Sequence, residues 1–169
     1  MSADPAMAGS GKQRLPRDAY DTIEAEWLIP ALLRHVTLRG TVWEPSAGSG
    51  HLVRELTAAG HRVIATDIEP RAPGIGRADF LGLQSMPTAT ESIVMNPPYS
   101  DIDAHIEHAL KLAHSVSGQV AVLARAELSA AGKRVGLFRD CRAFDMRIEL
   151  TRRPRWFSDG HTTPRHNYA

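Results

Sequence analysis

Short apolar runs bounded by glycine, proline and acidic residues alternate along the chain with stretches of helical spacing. Thr41-Val42-Trp43, Val63-Ile64-Ala65-Thr66 closing on Asp67, and Ser92-Ile93-Val94-Met95 read as buried strands. The pattern places strands near 41–45, 62–67, 91–96 and 119–124, with a further one around 144–150. Helical spacing predicts helices near 22–36, 50–59, 102–115 and 128–139, with Gly60 as the C-cap of the second. The order strand, helix, strand, strand, helix, strand predicts an α/β fold, a mostly parallel sheet with helices on both faces.

Length and charge narrow the picture. A chain of 169 residues makes one domain, large enough to bury about 70% of its unfolded surface. The formal net charge of +1 lacks the basic balance of a strong nucleic-acid binder. Basic residues do gather late, where Arg152, Arg153, Arg155 and Arg165 face the single acid Asp159, interleaved with Trp156, Phe157, His161 and His166. That mixture suits phosphate contact and base stacking, and equally a solvated tail. The lone Cys141 permits no internal disulfide and suits a reducing cytoplasm. No stretch is apolar and long enough to span a membrane, and residues 1–17 read as a flexible polar lead-in without a signal-peptide core.

The chemistry concentrates in Asn96-Pro97-Pro98-Tyr99, which ends the strand near 91–96. Two prolines fix φ and remove two amide donors, presetting the carbonyls and the Asn96 amide as acceptors, with Tyr99 as a flat face beside them. Such a group suits a planar amine whose lone pair is delocalised, because two acceptors on its NH2 return electron density to nitrogen. A Pro-Pro turn with no function is the plain alternative. Upstream, Glu44-Pro45-Ser46-Ala47-Gly48-Ser49-Gly50 follows the first strand, and Gly48 and Gly50 let backbone approach a ligand closely. One Gly-x-Gly without the third glycine disfavours a nicotinamide dinucleotide. Asp67, followed by Ile68, closes the second strand where a carboxylate can hold both ribose hydroxyls, or simply be solvated.

Two other patterns carry less. Gly9-Ser10-Gly11-Lys12 lacks the first glycine of a phosphate loop, since Ala6 stands there, and Gln13 replaces its hydroxyl residue. His105, His108 and His114 share a predicted helix without a cysteine partner, so no metal site is assigned.

Together these residues resemble the class I S-adenosylmethionine-dependent methyltransferases, in particular the Asn-Pro-Pro-Tyr amino-methyltransferases acting on adenine N6, as in small phage or prophage DNA enzymes. The resemblance covers residues 18–157, leaving 158–169 as a C-terminal tail. It implies a Rossmann-like sheet and S-adenosylmethionine as cofactor. Glu44, Pro45, Ser46, Ala47, Gly48 and Gly50 would then contact the cofactor's methionine part, Asp67 with Ile68 its ribose, and the pair Asp79-Phe80 its adenine. Asn96, Pro97, Pro98 and Tyr99 match the target-amine site, with Asn96 also near the cofactor. Tyr20-Asp21-Thr22 is similar to the Tyr-x-Thr element that closes over the methionine end, though Asp21 and Glu24 also have the form of a capping box.

The implied partner is DNA, with RNA adenine or a protein glutamine as alternatives presenting the same planar NH2, and with no membrane role. A sheet of this class ends in a reversed strand inserted between the two before it, and Asn167-Tyr168-Ala169 stand about where that strand would start. The chain is therefore expected to be either truncated or a natural form with a sheet edge left for a loop or partner. A non-catalytic module binding cofactor or nucleic acid is a further reading of the same feature.

Overall fold

The computed structural model describes residues 21–155 and 166–169. Its strands are β1 (Thr41–Glu44), β2 (Val63–Asp67), β3 (Gly76–Arg77), β4 (Thr90–Met95) and β5 (Gln119–Val122). They form one sheet in the order β3-β2-β1-β4-β5. Each pairing of neighbours is parallel, with Trp43 opposite Ile64 on one side and Ile93 on the other. The result is a Rossmann-like α/β sheet, as the element order predicts. From β1 the chain winds outward to β2 and β3, then returns to the other side of β1 as β4. That reversal opens a crevice at the C-terminal ends of β1 and β4.

Successive strand residues face opposite ways, so the central strands feed two cores. Val42 and Val94 enter one with Ala25 and Ile29 of α1 (Ala25–Leu33) and Leu52 and Leu56 of α2 (His51–Ala58). Trp43, Ile93 and Met95 enter the other with Phe80 and with Ile102, Ile106 and Ala109 of α3 (Ile102–His114). Those three helical positions repeat at one-turn spacing, which is why α3 lays a single apolar stripe on the sheet. The Trp43 indole N–H, buried with its ring, donates to Thr66 Oγ1 at 2.9 Å and ties β1 to β2 through a side chain.

Three expectations need correction. β3 has no apolar pattern to announce it, being the two exposed residues Gly76 and Arg77. The segment 128–139 is not an α-helix but two 3-10 turns, Ala126–Ala130 and Gly132–Leu137, with Arg134 off helical geometry at φ −106°, ψ 15°. Gly132 and Gly136 fall inside the window, and each costs about 1 kcal/mol against alanine in a helix. The segment 144–150 is not a strand. Phe144, Met146, Ile148 and Leu150 alternate with Asp145, Arg147 and Glu149 as a strand would, but the pattern forms no ladder without a partner for its backbone. Its tie across the gap is the Leu150 N–H to the Tyr168 carbonyl at 3.1 Å. Residues 167–169 run antiparallel to 124–126, with Ala124 and Ala169 exchanging two bonds of 3.0 Å. An apolar groove of about 560 Å³ follows the edge of β5, with Ile148 and Leu150 among its walls.

The capping box is also not formed. Helix α1 starts at Ala25 with Glu24 at the cap and no side-chain cap bond. Glu24 is instead a buried anchor for the late arginines. Its Oε1 accepts from Arg152 Nη2 at 2.7 Å and Arg155 Nε at 3.1 Å, and its Oε2 from the Arg155 N–H at 2.8 Å. Burial alone would raise the Glu24 carboxyl, but Arg155 and then Arg152 outweigh it and hold it below its ordinary value. The Arg152 guanidinium also lies 5.0 Å from the Trp27 ring centroid. Two of the predicted tail cations are thus spent inside the fold, while Trp156, Phe157, Asp159, His161 and Arg165 lie outside the described residues.

Replacing Glu24 by Ala should cost about 1–3 kcal/mol, because it strips a backbone N–H and two guanidinium groups of their acceptor. Replacing half-exposed Arg152 by Ala should cost under about 1 kcal/mol. Urea midpoints of the two variants check the order; equal losses would show that Glu24 is not the anchor.

Candidate functional site

At the crevice lies a cavity of about 410 Å³. Thr22, Glu44, Pro45, Ser46, Ala47, Gly48, Asp67, Ile68, Asp79, Phe80, Asn96 and Pro98 all line it, so the fold brings most of the expected site residues to one place. Gly50, Pro97 and Tyr99 are not among the lining residues, and Tyr20 lies outside the described residues.

The loop after β1 is built by its glycines and by the acid of β2. Gly48 and Gly50 take φ of 51° and 76°, the left-handed region that favours glycine. The Gly48 N–H donates to Asp67 Oδ2 at 2.7 Å, and the Ala47 N–H to the Thr66 carbonyl at 3.0 Å. Asp67 Oδ1 accepts from the Glu69 N–H at 2.7 Å. Asp67 therefore shapes the loop while retaining acceptor capacity on both oxygens.

Glu44 is fully buried at the end of β1. Its Oε1 accepts from the Ser46 N–H at 3.1 Å, whereas Oε2 has no partner among the described residues. Burial pushes its carboxyl well above the ordinary value; the Ser46 bond opposes this and the nearby Asp67 charge adds to it. A buried acceptor at the wall of a cavity is a place for a donor or cation from outside the chain.

The other end of the cavity belongs to β4. Asn96 Nδ2 donates to Thr22 Oγ1 at 3.0 Å, and Asn96 Oδ1 accepts from the Tyr99 hydroxyl at 3.1 Å, the amide orientation following from these partners. Thr22, from before the first helix, is thereby joined to the turn after β4. The Tyr99 ring has the Arg125 guanidinium 5.4 Å from its centroid and the Tyr168 ring at 6.2 Å. Asp79 caps the 3-10 turn Phe80–Gly82 by accepting from the Leu81 N–H at 3.2 Å. Phe80 is buried, edge-on to Trp43 at 5.3 Å and stacked on His105 at 5.6 Å, so it supports the cavity from the core side. Among the described residues no group of three His, Cys, Asp or Glu could hold a metal ion. None of their helices is long and apolar enough to cross a membrane.

Four lining or neighbouring residues had no sequence signal of their own: Arg71, His51, Arg125 and Tyr168. Burial, then the Arg54 charge, pushes the His51 imidazole down, and Arg54 Nη2 lies 2.8 Å from His51 Nδ1. Asp21 leaves the predicted cap to accept from the Ser49 N–H at 3.2 Å and Ser49 Oγ at 3.0 Å.

No family model and no curated protein matches the chain. Among solved structures, a Thermoplasma acidophilum protein is similar at TM-score 0.46 and 21% identity, over 64% of this chain and 63% of its own. A Pyrococcus horikoshii protein described provisionally as an RNA methyltransferase is similar at TM-score 0.44 and 17% identity, over 66% of this chain and 60% of its own. The chain thus spans less than two thirds of either. At this level of likeness neither carries an assignment of activity.

The Glu44 carboxyl supplies a pH prediction. Because its folded value lies above the ordinary 4.5, the folded chain binds the proton more tightly. That contribution is complete at low pH and is lost as pH rises from 4.5 through the raised folded value. Replacing Glu44 by Gln should therefore raise the melting temperature at pH 8, by about 2–4 °C for each 1 kcal/mol recovered in a domain of this size. The gain should shrink toward pH 4. Calorimetric scans across pH test this, and a gain largest in acid would contradict it.

Proposed function

We propose that the chain transfers a methyl group from S-adenosylmethionine to an exocyclic amino group, with adenine N6 in DNA as the substrate. The observation that carries this reading is the meeting, on one cavity, of the Asn96 turn with the Glu44 loop and Asp67. The residues present fit the cofactor. Glu44 offers a buried acceptor with an unpartnered oxygen, and Asp67 a carboxylate with acceptor capacity to spare at the end of the second strand. When bound, S-adenosylmethionine supplies an electrophilic methyl group on a sulfonium.

The chain's own part is to prepare the amine. Asn96 Oδ1 and the Pro97 carbonyl accept from the NH2 group, which draws the delocalised lone pair back to nitrogen. Thr22 and Tyr99 hold the Asn96 amide in place for this, through the bonds of 3.0 and 3.1 Å. No side-chain base need act first, since the proton can leave once the nitrogen has four bonds. In duplex DNA the target base must leave the stack at a cost of a few kcal/mol, which favours single-stranded or distorted substrate. Tyr99 offers its ring to that base in competition with Arg125.

A second reading, a glutamine side chain of a protein, is favoured by one feature. Arg152 and Arg155 are committed to Glu24, which reduces the basic surface left for phosphates.

Incubation with methyl-labelled S-adenosylmethionine and unmethylated DNA should place label in N6-methyladenine, identified by mass spectrometry of the nucleosides. Replacing Asn96 by Ala should lower turnover by about 10²–10³, the scale of losing one preorganised hydrogen-bonding group. Affinity for S-adenosylhomocysteine should stay nearly intact; equal loss of both would show the site is misplaced. Cofactor binding with no label in DNA would transfer the assignment to protein or RNA, or to a domain that binds without reacting.

A further inference from the structure

The cavity is strongly biased in charge. Asp21, Glu44, Asp67, Glu69, Asp79 and Asp101 line it, and Arg71 is the single arginine or lysine among the lining residues. An anionic group entering here has one permanent cation to approach.

Arg71 is also fixed in place. Its N–H donates to the Gly48 carbonyl at 3.0 Å, its Nη2 to Asp21 Oδ1 at 2.6 Å and its Nε toward Ser49 Oγ at 3.4 Å. A Cβ at Gly48 would stand 2.6 Å from Arg71 Nη2 and 3.1 Å from Asp21 Oδ1, so the guanidinium crosses directly over the bare α-carbon of the loop. Asp21 is in turn held by the Ser49 N–H and hydroxyl. The remaining terminal nitrogen of Arg71, Nη1, has no partner among the described residues, and the side chain is one-third exposed at 33%. An exposed ion pair of this kind contributes little to stability. A guanidinium clamped at a cavity wall with one donor nitrogen uncommitted is, however, a preorganised receptor for a carboxylate.

We propose that Arg71 is the specificity-determining residue that receives the carboxylate at the amino-acid end of the ligand, and that Asp21 is the positioning residue that aims it. This rests on the cofactor reading above, since S-adenosylmethionine and S-adenosylhomocysteine end in an ammonium and a carboxylate. Glu44, which lines the same cavity and has an unpartnered Oε2, would accept from the ammonium of the same zwitterion. The acidic walls would repel the carboxylate anywhere else in the cavity, so Arg71 also sets which way round the ligand lies.

The test compares S-adenosylhomocysteine with its decarboxylated thioether, in which hydrogen replaces the carboxylate, by titration calorimetry. The wild-type protein should prefer S-adenosylhomocysteine by about ten- to a hundredfold, the scale of a charge-assisted hydrogen bond. In Arg71→Met that preference should vanish through weaker binding of S-adenosylhomocysteine alone, while Arg71→Lys should recover part of it. Circular dichroism melts confirm that both variants fold. A preference that survives in Arg71→Met, or equal weakening of both ligands, would overturn the role of Arg71. So would a wild-type protein that binds the two ligands alike, although the cofactor reading would then stand. Binding of neither ligand by the wild type would remove the cofactor reading and this inference with it.

Discussion

A parallel strand covered on both faces has to end in a turn that satisfies its last polar groups, and the rest of this molecule is arranged around how β1 does so. Val42 and Trp43 are fully buried on opposite faces, and Glu44, the next residue, is equally buried but ionisable. The chain satisfies half of that carboxyl with its own Ser46 amide and leaves the other half facing the crevice. The turn can pass so close to the strand end because Gly48 and Gly50 take left-handed conformations, and it is fastened there by the carboxylate of the neighbouring strand, Asp67. The cost of burying Glu44 is thus tied to the shape of the cavity beside it.

That arrangement determines where charge is tolerated elsewhere. Carboxylates gather at the cavity, where Arg71 pairs with Asp21 over the loop, while Arg152 and Arg155 from late in the sequence pair with Glu24. Asp21 and Glu24 lie within one short segment ahead of α1, so that segment is tied at two points. Its Thr22 is thereby presented to Asn96 with little freedom. The glycine loop and the Asn96 turn are consequently joined through this one segment, Asp21 bonding Ser49 and Thr22 bonding Asn96.

The strongest signals in the sequence were those with a period or a fixed backbone demand. Continuous apolar runs located β1, β2, β4 and β5, the helical stripe of Ile102, Ile106 and Ala109 located α3, and the Gly-x-Gly and Pro-Pro dipeptides marked the two turns that meet at the crevice. Features that depend on a partner were not legible. The alternation of residues 144–150 is a true strand pattern, but a strand requires a neighbour, and sequence periodicity says nothing of whether one is there. Gly76 and Arg77 form β3 only because Thr66 and Asp67 stand beside them. Charged residues were the hardest to place: Arg71, Arg152 and Arg155 look alike in the sequence, and only their distant carboxylates distinguish a cavity wall from a structural anchor.

The two halves of the crevice differ in how firmly they are built. Glu44, Gly48 and Asp67 are held by backbone bonds from adjacent central strands, where parallel pairing and two covered faces leave little room to move. The other half is Asn96 followed by a turn whose Tyr99 lies against Arg125 and Tyr168, residues beyond the end of β5 where the pairing changes from parallel to antiparallel. Edge backbone exchanges its bonds with solvent or a neighbouring chain more readily than central backbone does. The glycine loop and the Asn96 turn leave adjacent, laddered strands, and the Asn96–Thr22 bond adds a side-chain tie between them.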